Sequence, residues 1–372
     1  MSSRLFIALA VCSLSLPLHV DAQAPPERAE PVWIGDSDAR VRLGLAIQLQ
    51  AQATASEDMT LDVRVRRVRP SVRASLFDGA VTAALQLEAV PASAELIDAW
   101  IEAVPLPWLR LRAGQMKTPF TLYFQRSLTE LPVDWALTSH WFGGERQLGL
   151  MAHGREESSG FGYAAGVFGG QNQRASFARE IARLYGAPLE SPSRLVDPAP
   201  LEPMHPELSA RIAQQGDGLF AHEVALSVAW DSGPRLQRDY ALRVAPELRL
   251  AGSRWTAHAI LFAGWLETPS RALELSNVGV FVELGWRAHR HLEVVARYAR
   301  VHLLPYLVED ARQQRPDGVD VPHAQHELAI AFNGLIVGRS LAFQTDLAWL
   351  RRESARGAED DLRLRVQLQV AF

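Results

Sequence analysis

The sequence is poor in cysteine, in lysine and in long apolar runs. Cys12 is the one cysteine among 372 residues, so no disulfide framework staples the fold and no cluster of thiolates holds a metal. Lys117 is the one lysine, and every other member of the 38 Lys and Arg residues is arginine. With 42 Asp and Glu the formal net charge is −4, which excludes the broadly basic surface that nucleic acid requires. The longest apolar stretch, Leu5 to Leu18, is about 14 residues and falls short of a membrane-spanning helix. Without spanning helices a chain can cross a membrane only as a closed β-barrel, because lipid leaves open backbone groups unsatisfied.

What is present begins with an export signal. Arg4 precedes the apolar run, and Ala22-Gln23-Ala24 supplies a small-residue cleavage pattern, so residues 1–24 read as a signal peptide. Val11 ahead of Cys12 argues against a lipid-anchor cysteine. Residues 25–40 are a lead-in containing proline and charge, and 41–372 read as one domain.

Strict period-2 alternation dominates that domain. Leu362, Leu364, Val366, Leu368, Val370 and Phe372 share one face of the C-terminal segment, and Arg363, Arg365, Gln367, Gln369 and Ala371 share the other. In a soluble sandwich the apolar face would turn inward; in an outer-membrane barrel it turns to lipid and the polar face lines the lumen. The terminal Phe372 matches the pattern that outer-membrane proteins present to the insertion machinery. Val41, Leu43, Leu45, Ile47 and Leu49 alternate with Arg42, Gly44, Ala46, Gln48 and Gln50, so the first and last strands suit closure. After Leu61, Val63 and Val65 the phase switches to Val68, Pro70, Val72, Ala74 and Leu76, which predicts a bulge at Arg66-Arg67.

The same pattern predicts sixteen strands: 41–53, 61–76, 80–90, 95–104, 107–116, 147–154, 160–169, 207–214, 222–231, 238–250, 253–266, 276–287, 291–303, 324–335, 339–351 and 361–372. The fold class is therefore all-β, a transmembrane antiparallel barrel of about sixteen strands, with fourteen or eighteen also compatible. Three connections are long: 117–146, 170–206 with a helix-like stretch from Phe177 to Tyr185, and the polar segment 304–323. Such loops lie outside a barrel or fold into its lumen.

Arginines carry the functional signal. An arginine on the lipid face at midplane costs about 2–4 kcal/mol. Arg42, Arg64, Arg67, Arg69, Arg73, Arg110, Arg112, Arg363 and Arg365 therefore line the lumen. They form an ion path, since guanidinium binds oxyanions bidentately, or they brace the wall by pairing with Glu88, Asp98 and Glu102. Lys117 is either a charge at a constriction mouth or a loop lysine in solvent. Trp33, Trp108, Trp230, Trp255 and Trp286 fall near strand ends, as interfacial girdles do. Enzymatic signals are weak. His289 with His291, and His323 with His326, sit at turns or strand starts; Ser276-Asn277 has no partner in sequence; "GVFGG" and "WFGGE" do not open helices after parallel strands. No catalytic residue and no cofactor is expected.

The order of several segments resembles phosphate-selective porins of the O/P type. "RVRPSVRASLFDGAVTAALQLE" leads into "ELIDAWIEAVPLPWLRLRAGQMKTPFTLYF", similar to that family's Asp-Ala strand and its turn, here Gly114, Gln115, Lys117, Pro119 and Phe120. "ERQLGLMAHG", "GFGYAAGVFGGQN" and "GVFVELGWRAHRHLEVVARYARVH" resemble its later strands. The resemblance implies a sixteen-stranded, trimeric porin of the bacterial outer membrane with an arginine-rich lumen. One departure bears on selectivity: phosphate selection in that family goes with grouped lysines, and this chain has one. The expectation is thus a passive channel for small anionic solutes. Two readings stand beside it. A barrel plugged by loop 117–146 would have a structural or adhesive role, and a soluble periplasmic β-protein would extract without detergent.

Overall fold

A computed structural model describes residues 33–372, apart from 37, 57, 91–92, 128–129, 144–145, 170–179, 181–183, 185–205, 219, 232–239, 269–270 and 315–319. The expected signal peptide, most of the lead-in and most of the helix-like stretch Phe177 to Tyr185 lie outside the described residues. Sixteen long strands are described: β1 (Ala39–Ala55), β2 (Met59–Leu76), β3 (Val81–Val90), β4 (Ser93–Leu106), β5 (Leu109–Lys117), β6 (Arg146–Arg155), β7 (Phe161–Phe168), β8 (Glu207–Gly216), β9 (Ala221–Asp231), β10 (Tyr240–Ala251), β11 (Trp255–Thr268), β12 (Arg271–His289), β13 (Leu292–Leu303), β14 (Ala324–Val337), β15 (Leu341–Ser354) and β16 (Gly357–Ala371). Each corresponds to one of the sixteen segments read from alternation. A two-residue piece, Ile34–Gly35, pairs with the start of β1.

Each strand pairs antiparallel with its neighbours in sequence, and β16 closes on β1 from Leu362↔Ala55 to Ala371↔Ala46. Phe372 extends the seam by exchanging two backbone hydrogen bonds with Leu45, each 3.0 Å. Closure leaves the sheet without an edge, the condition for a strand protein to sit in lipid.

The faces are inverted relative to a soluble protein. Leu61, Val63 and Leu148 are about 70% exposed, at 71%, 74% and 68%, whereas Gln48, Gln367 and Arg243 are at most 2% exposed. A closed barrel with an apolar outer surface and a polar interior is a transmembrane barrel of the outer-membrane type. Trp108, Trp230 and Trp286 are exposed near strand ends. Inside, an amide relay crosses the seam: Arg64 donates to Gln50, Gln50 to Gln367, Gln367 to Gln344, Gln344 to Asn333, and Asn333 to the Glu293 carboxylate. Every donor in it points the same way round the wall, from a cation to an anion, so the dipoles reinforce one another.

The expected bulge is present. Gln48 faces Arg67 while Leu49 faces Val65, so Arg66 has no partner across the strand pair. One end of the barrel carries short turns, such as Phe77–Gly79, and the other carries the long connections. Two short helices lie in the connection after β5: α1 (Leu122–Gln125) and α2 (Leu137–Phe142). Segment 304–323 differs from the expected polar loop. It holds a helix, α3 (Pro305–Gln314), because Leu307, Val308 and Ala311 share one helical face and bury it in the lumen.

The inverted faces give a direct test. Ile330→Arg, an outward position midway along β14, is expected to lower stability by about 2–4 kcal/mol, measured by urea unfolding in lipid vesicles. An unchanged midpoint would contradict the outward assignment.

Candidate functional site

The connection between β5 and β6 folds into the barrel. Phe120, Tyr123, Phe124, Trp141 and Phe142 from this loop pack against Ile260 and Phe262 of β11, Phe281 of β12 and Val301 of β13. Tyr123 and Phe281 have ring centroids 4.4 Å apart, and Phe142 stacks on Phe262 at 4.9 Å. Small wall residues make the room: a Cβ at Gly279 would lie 2.5 Å from the Phe142 ring. One side of the lumen is therefore filled by an apolar core, with Leu307, Val308 and Ala311 of α3 joining it.

The wall also supplies the polar groups that the loop lacks. Thr121 and Ala136, at the N-caps of α1 and α2, make no side-chain capping bonds. Instead Leu122 N donates to both Glu247 carboxylate oxygens, at 3.1 and 3.0 Å, and Leu137 N donates to Glu327 Oε2 at 2.7 Å. Carboxylates there satisfy orphan N–H groups and favour the positive ends of the helices. At the other end of α2, Arg243 Nη1 donates to Gly143 O at 2.7 Å. Arg126 pairs with Glu283 at 2.7 Å, and Arg297 donates to Asp134 O at 2.8 Å.

Asp134 is the loop's latch to the opposite wall. Arg66 lies 3.0 Å from its carboxylate, Arg67 3.6 Å and Arg365 3.8 Å. The bulge makes this arrangement possible, since without it Arg66 and Arg67 would face opposite sides of the sheet. Burial alone would raise the Asp134 carboxyl, but Arg67, Arg66 and Arg365 hold it well below the usual carboxylate range. Its native value is depressed, so the latch stabilises fully above about pH 4 and is lost only as pH falls through the depressed value.

Between the docked loop and the β1–β6 wall a cavity of about 220 Å³ remains. Its lining is Ala46, Gln48, Arg67, Arg69, Gln86, Lys117, Gln125, Ser127 and Arg146: four cations, three amides, a hydroxyl and no carboxylate. The counter-charges stand outside this lining. Glu88 pairs with Arg69 and lies 3.7 Å from Arg67, and Asp98 pairs with Arg146 at 3.0 Å. Lys117 is not in solvent; its Nζ donates to Arg126 O at 2.8 Å on the docked loop.

The expected arginines divide. Arg67 and Arg69 line the cavity with Lys117. Arg42, Arg73, Arg110 and Arg112 occupy the same wall nearer the short turns, Arg110 and Arg112 both paired with Glu102. Arg64 is toward the other end, 3.2 Å from Asp62. Arg363 and Arg365 lie across the seam with Glu327, Asp346 and Asp134, so they belong to the clamp on the loop. Sequence reading missed Arg146, whose place at a loop–strand junction hid its direction. It also missed Asp134, Glu247, Glu327, Arg243 and Arg297, which hold the loop; the last four alternate with apolar neighbours as the other lumen residues do.

No protein-family model matches the sequence, and no curated protein matches it. Solved structures do match over nearly the whole chain. The outer membrane channel DcaP of Acinetobacter baumannii is 11% identical, with a TM-score of 0.60 over 91% of this chain and 99% of that one. OprB of Pseudomonas putida is 11% identical, with a TM-score of 0.65 over 89% and 94%. The anion-selective porin from Comamonas acidovorans is 12% identical, with a TM-score of 0.59 over 90% and 100%. At such identity the likeness shows the fold, which is that of the porins.

The latch yields two expectations. Asp134→Asn leaves three guanidinium groups without their shared anion, a loss of about 3–5 kcal/mol where the pair is buried. The loop should then become cleavable by added protease while the barrel stays folded. In the unmodified protein, resistance of the loop to protease should not change between about pH 8 and pH 5, because the carboxylate stays ionised there. Cleavage appearing within that range would contradict the latch.

Proposed function

We propose that this chain is a passive, water-filled pore of the bacterial outer membrane that favours small anions over cations. The observation that carries this reading is the cavity beside the docked loop, whose four charged lining residues are Arg67, Arg69, Lys117 and Arg146. Fixed positive charge in a narrow water column raises the local concentration of anions and repels cations. Arginine suits the task because it keeps its charge and presents two parallel donors to an oxyanion. With Arg42, Arg64, Arg73, Arg110 and Arg112 the same wall is cationic along much of its length. The chemistry is steering and partial desolvation; there is no catalytic step and no cofactor.

The resemblance to O/P porins supports phosphate-like oxyanions as one class of permeant, but general anion passage fits a single lysine better. It also supports a homotrimer. Export by the 1–24 signal and assembly through the Phe372 strand complete the reading. The second reading, a plugged barrel with a structural or adhesive role, is favoured by one observation: the loop is packed tightly against the wall from β9 to β14.

Purified protein in a planar bilayer under a KCl gradient separates them. The pore reading expects steady conductance steps with a zero-current potential displaced toward that of chloride. Displacement toward potassium would discard the anion preference. Folded, heat-modifiable protein that gives no steps would leave the plugged barrel.

A further inference from the structure

Below the cavity, toward the short turns, the lumen holds a second group of cations around a lone indole. Arg42 and Arg73 stand directly opposite each other in the β1–β2 register. Like charges in such a pair destabilise a sheet; among the described residues the carboxylates acting on Arg73 are Glu102 and Asp98, beyond ion-pair distance, and Glu102 is committed to Arg112 and Arg110. Trp100 of β4 stands in the same register row, two strands beyond Arg73. Its neighbour Ile101 is 60% exposed on the lipid side, so Trp100 faces the lumen. The Arg112 guanidinium sits 4.1 Å from its ring centroid and the Arg73 guanidinium 5.7 Å. The indole rests on buried Met116, Met151 and Phe168, which fix it from behind. Its partners in the ladder are Ala84 and Gly114, too small to cover it.

We propose that this group is a second anion station, selective for anions that carry an aromatic ring: an aromatic monocarboxylate. The carboxylate bridges Arg42 and Arg73 and removes their mutual repulsion. The ring lies along Trp100 at the edge of the guanidinium pair. Chloride, phosphate or acetate can use the arginines there but not the indole, whereas the first station, lined by amides and cations, offers no aromatic surface. Access to the site rests on the pore reading above; the site itself does not.

The test uses the full-length protein in detergent, with 4-fluorobenzoate as probe and fluorine NMR line broadening as readout, alongside block of chloride current in bilayers. Aromatic contact with a cation-flanked indole is expected to make fluorobenzoate effective at about tenfold lower concentration than acetate. Trp100→Leu should bring the two anions to near parity, and Arg42→Gln with Arg73→Gln should weaken both. The double variant also serves if Trp100→Leu does not reach the heat-modifiable, folded form. Equal binding of fluorobenzoate and acetate by the unmodified protein would overturn the proposal. Conduction without discrimination would remove this station and leave the pore; discrimination in NMR without conduction would keep the station and remove the pore.

Discussion

Hydrocarbon offers no hydrogen bonds, and the rest of this structure follows from that. Every strand must find two neighbours, so the sheet closes where β16 meets β1, down to the terminal Phe372. With apolar side chains committed to the outside, every second residue is forced inward, and the sequence puts arginine, glutamate and glutamine there. The lumen thus begins as a dense field of charge that the fold must neutralise or leave wet.

It does both, on opposite sides. The β10–β16 wall spends its charges on the inward loop: Glu247 and Glu327 cap its helices, Arg243 and Arg297 bind its carbonyls, and Arg365 meets the Asp134 carboxylate, which also reaches across to Arg66 and Arg67 of β2. The aromatic side chains of the same loop cover that wall's alanines and glycine. On the β1–β6 wall the cations outnumber the carboxylates of Glu88, Asp98 and Glu102. The lumen is apolar core on one side and polar on the other, with a cavity of about 220 Å³ left between the loop and the charged wall.

Much of the fold was legible in the sequence. A strand with one face in lipid must alternate, so all sixteen strands and the bulge at Arg66 were visible as period and phase. The alternation of the arginines with apolar neighbours was legible for the same reason. Their division of labour was not. Arg365 and Arg69 alternate with apolar neighbours in the same way, and only the docked loop makes one a clamp and the other a lining residue. The clamp is invisible locally because its bonds join distant positions, Leu137 with Glu327 and Leu122 with Glu247. The helix α3 escaped notice because its apolar face is only three residues, set among charges. The resemblance to O/P porins agrees with the porin fold, but the O/P family itself is matched by no family model.

Passage of solute between the docked loop and the cationic wall is tested most directly by a single thiol placed there. The barrel contains no cysteine, so Ser127→Cys introduces one reactive group into the cavity lining. Recording current during exposure to an anionic and then a cationic methanethiosulfonate reagent reports both access and local potential. A passage lined by Arg67, Arg69, Lys117 and Arg146 predicts faster reaction with the anionic reagent and a fall in chloride current once it is attached. A thiol that never reacts, reacts faster with the cationic reagent, or reacts without changing the current would contradict it.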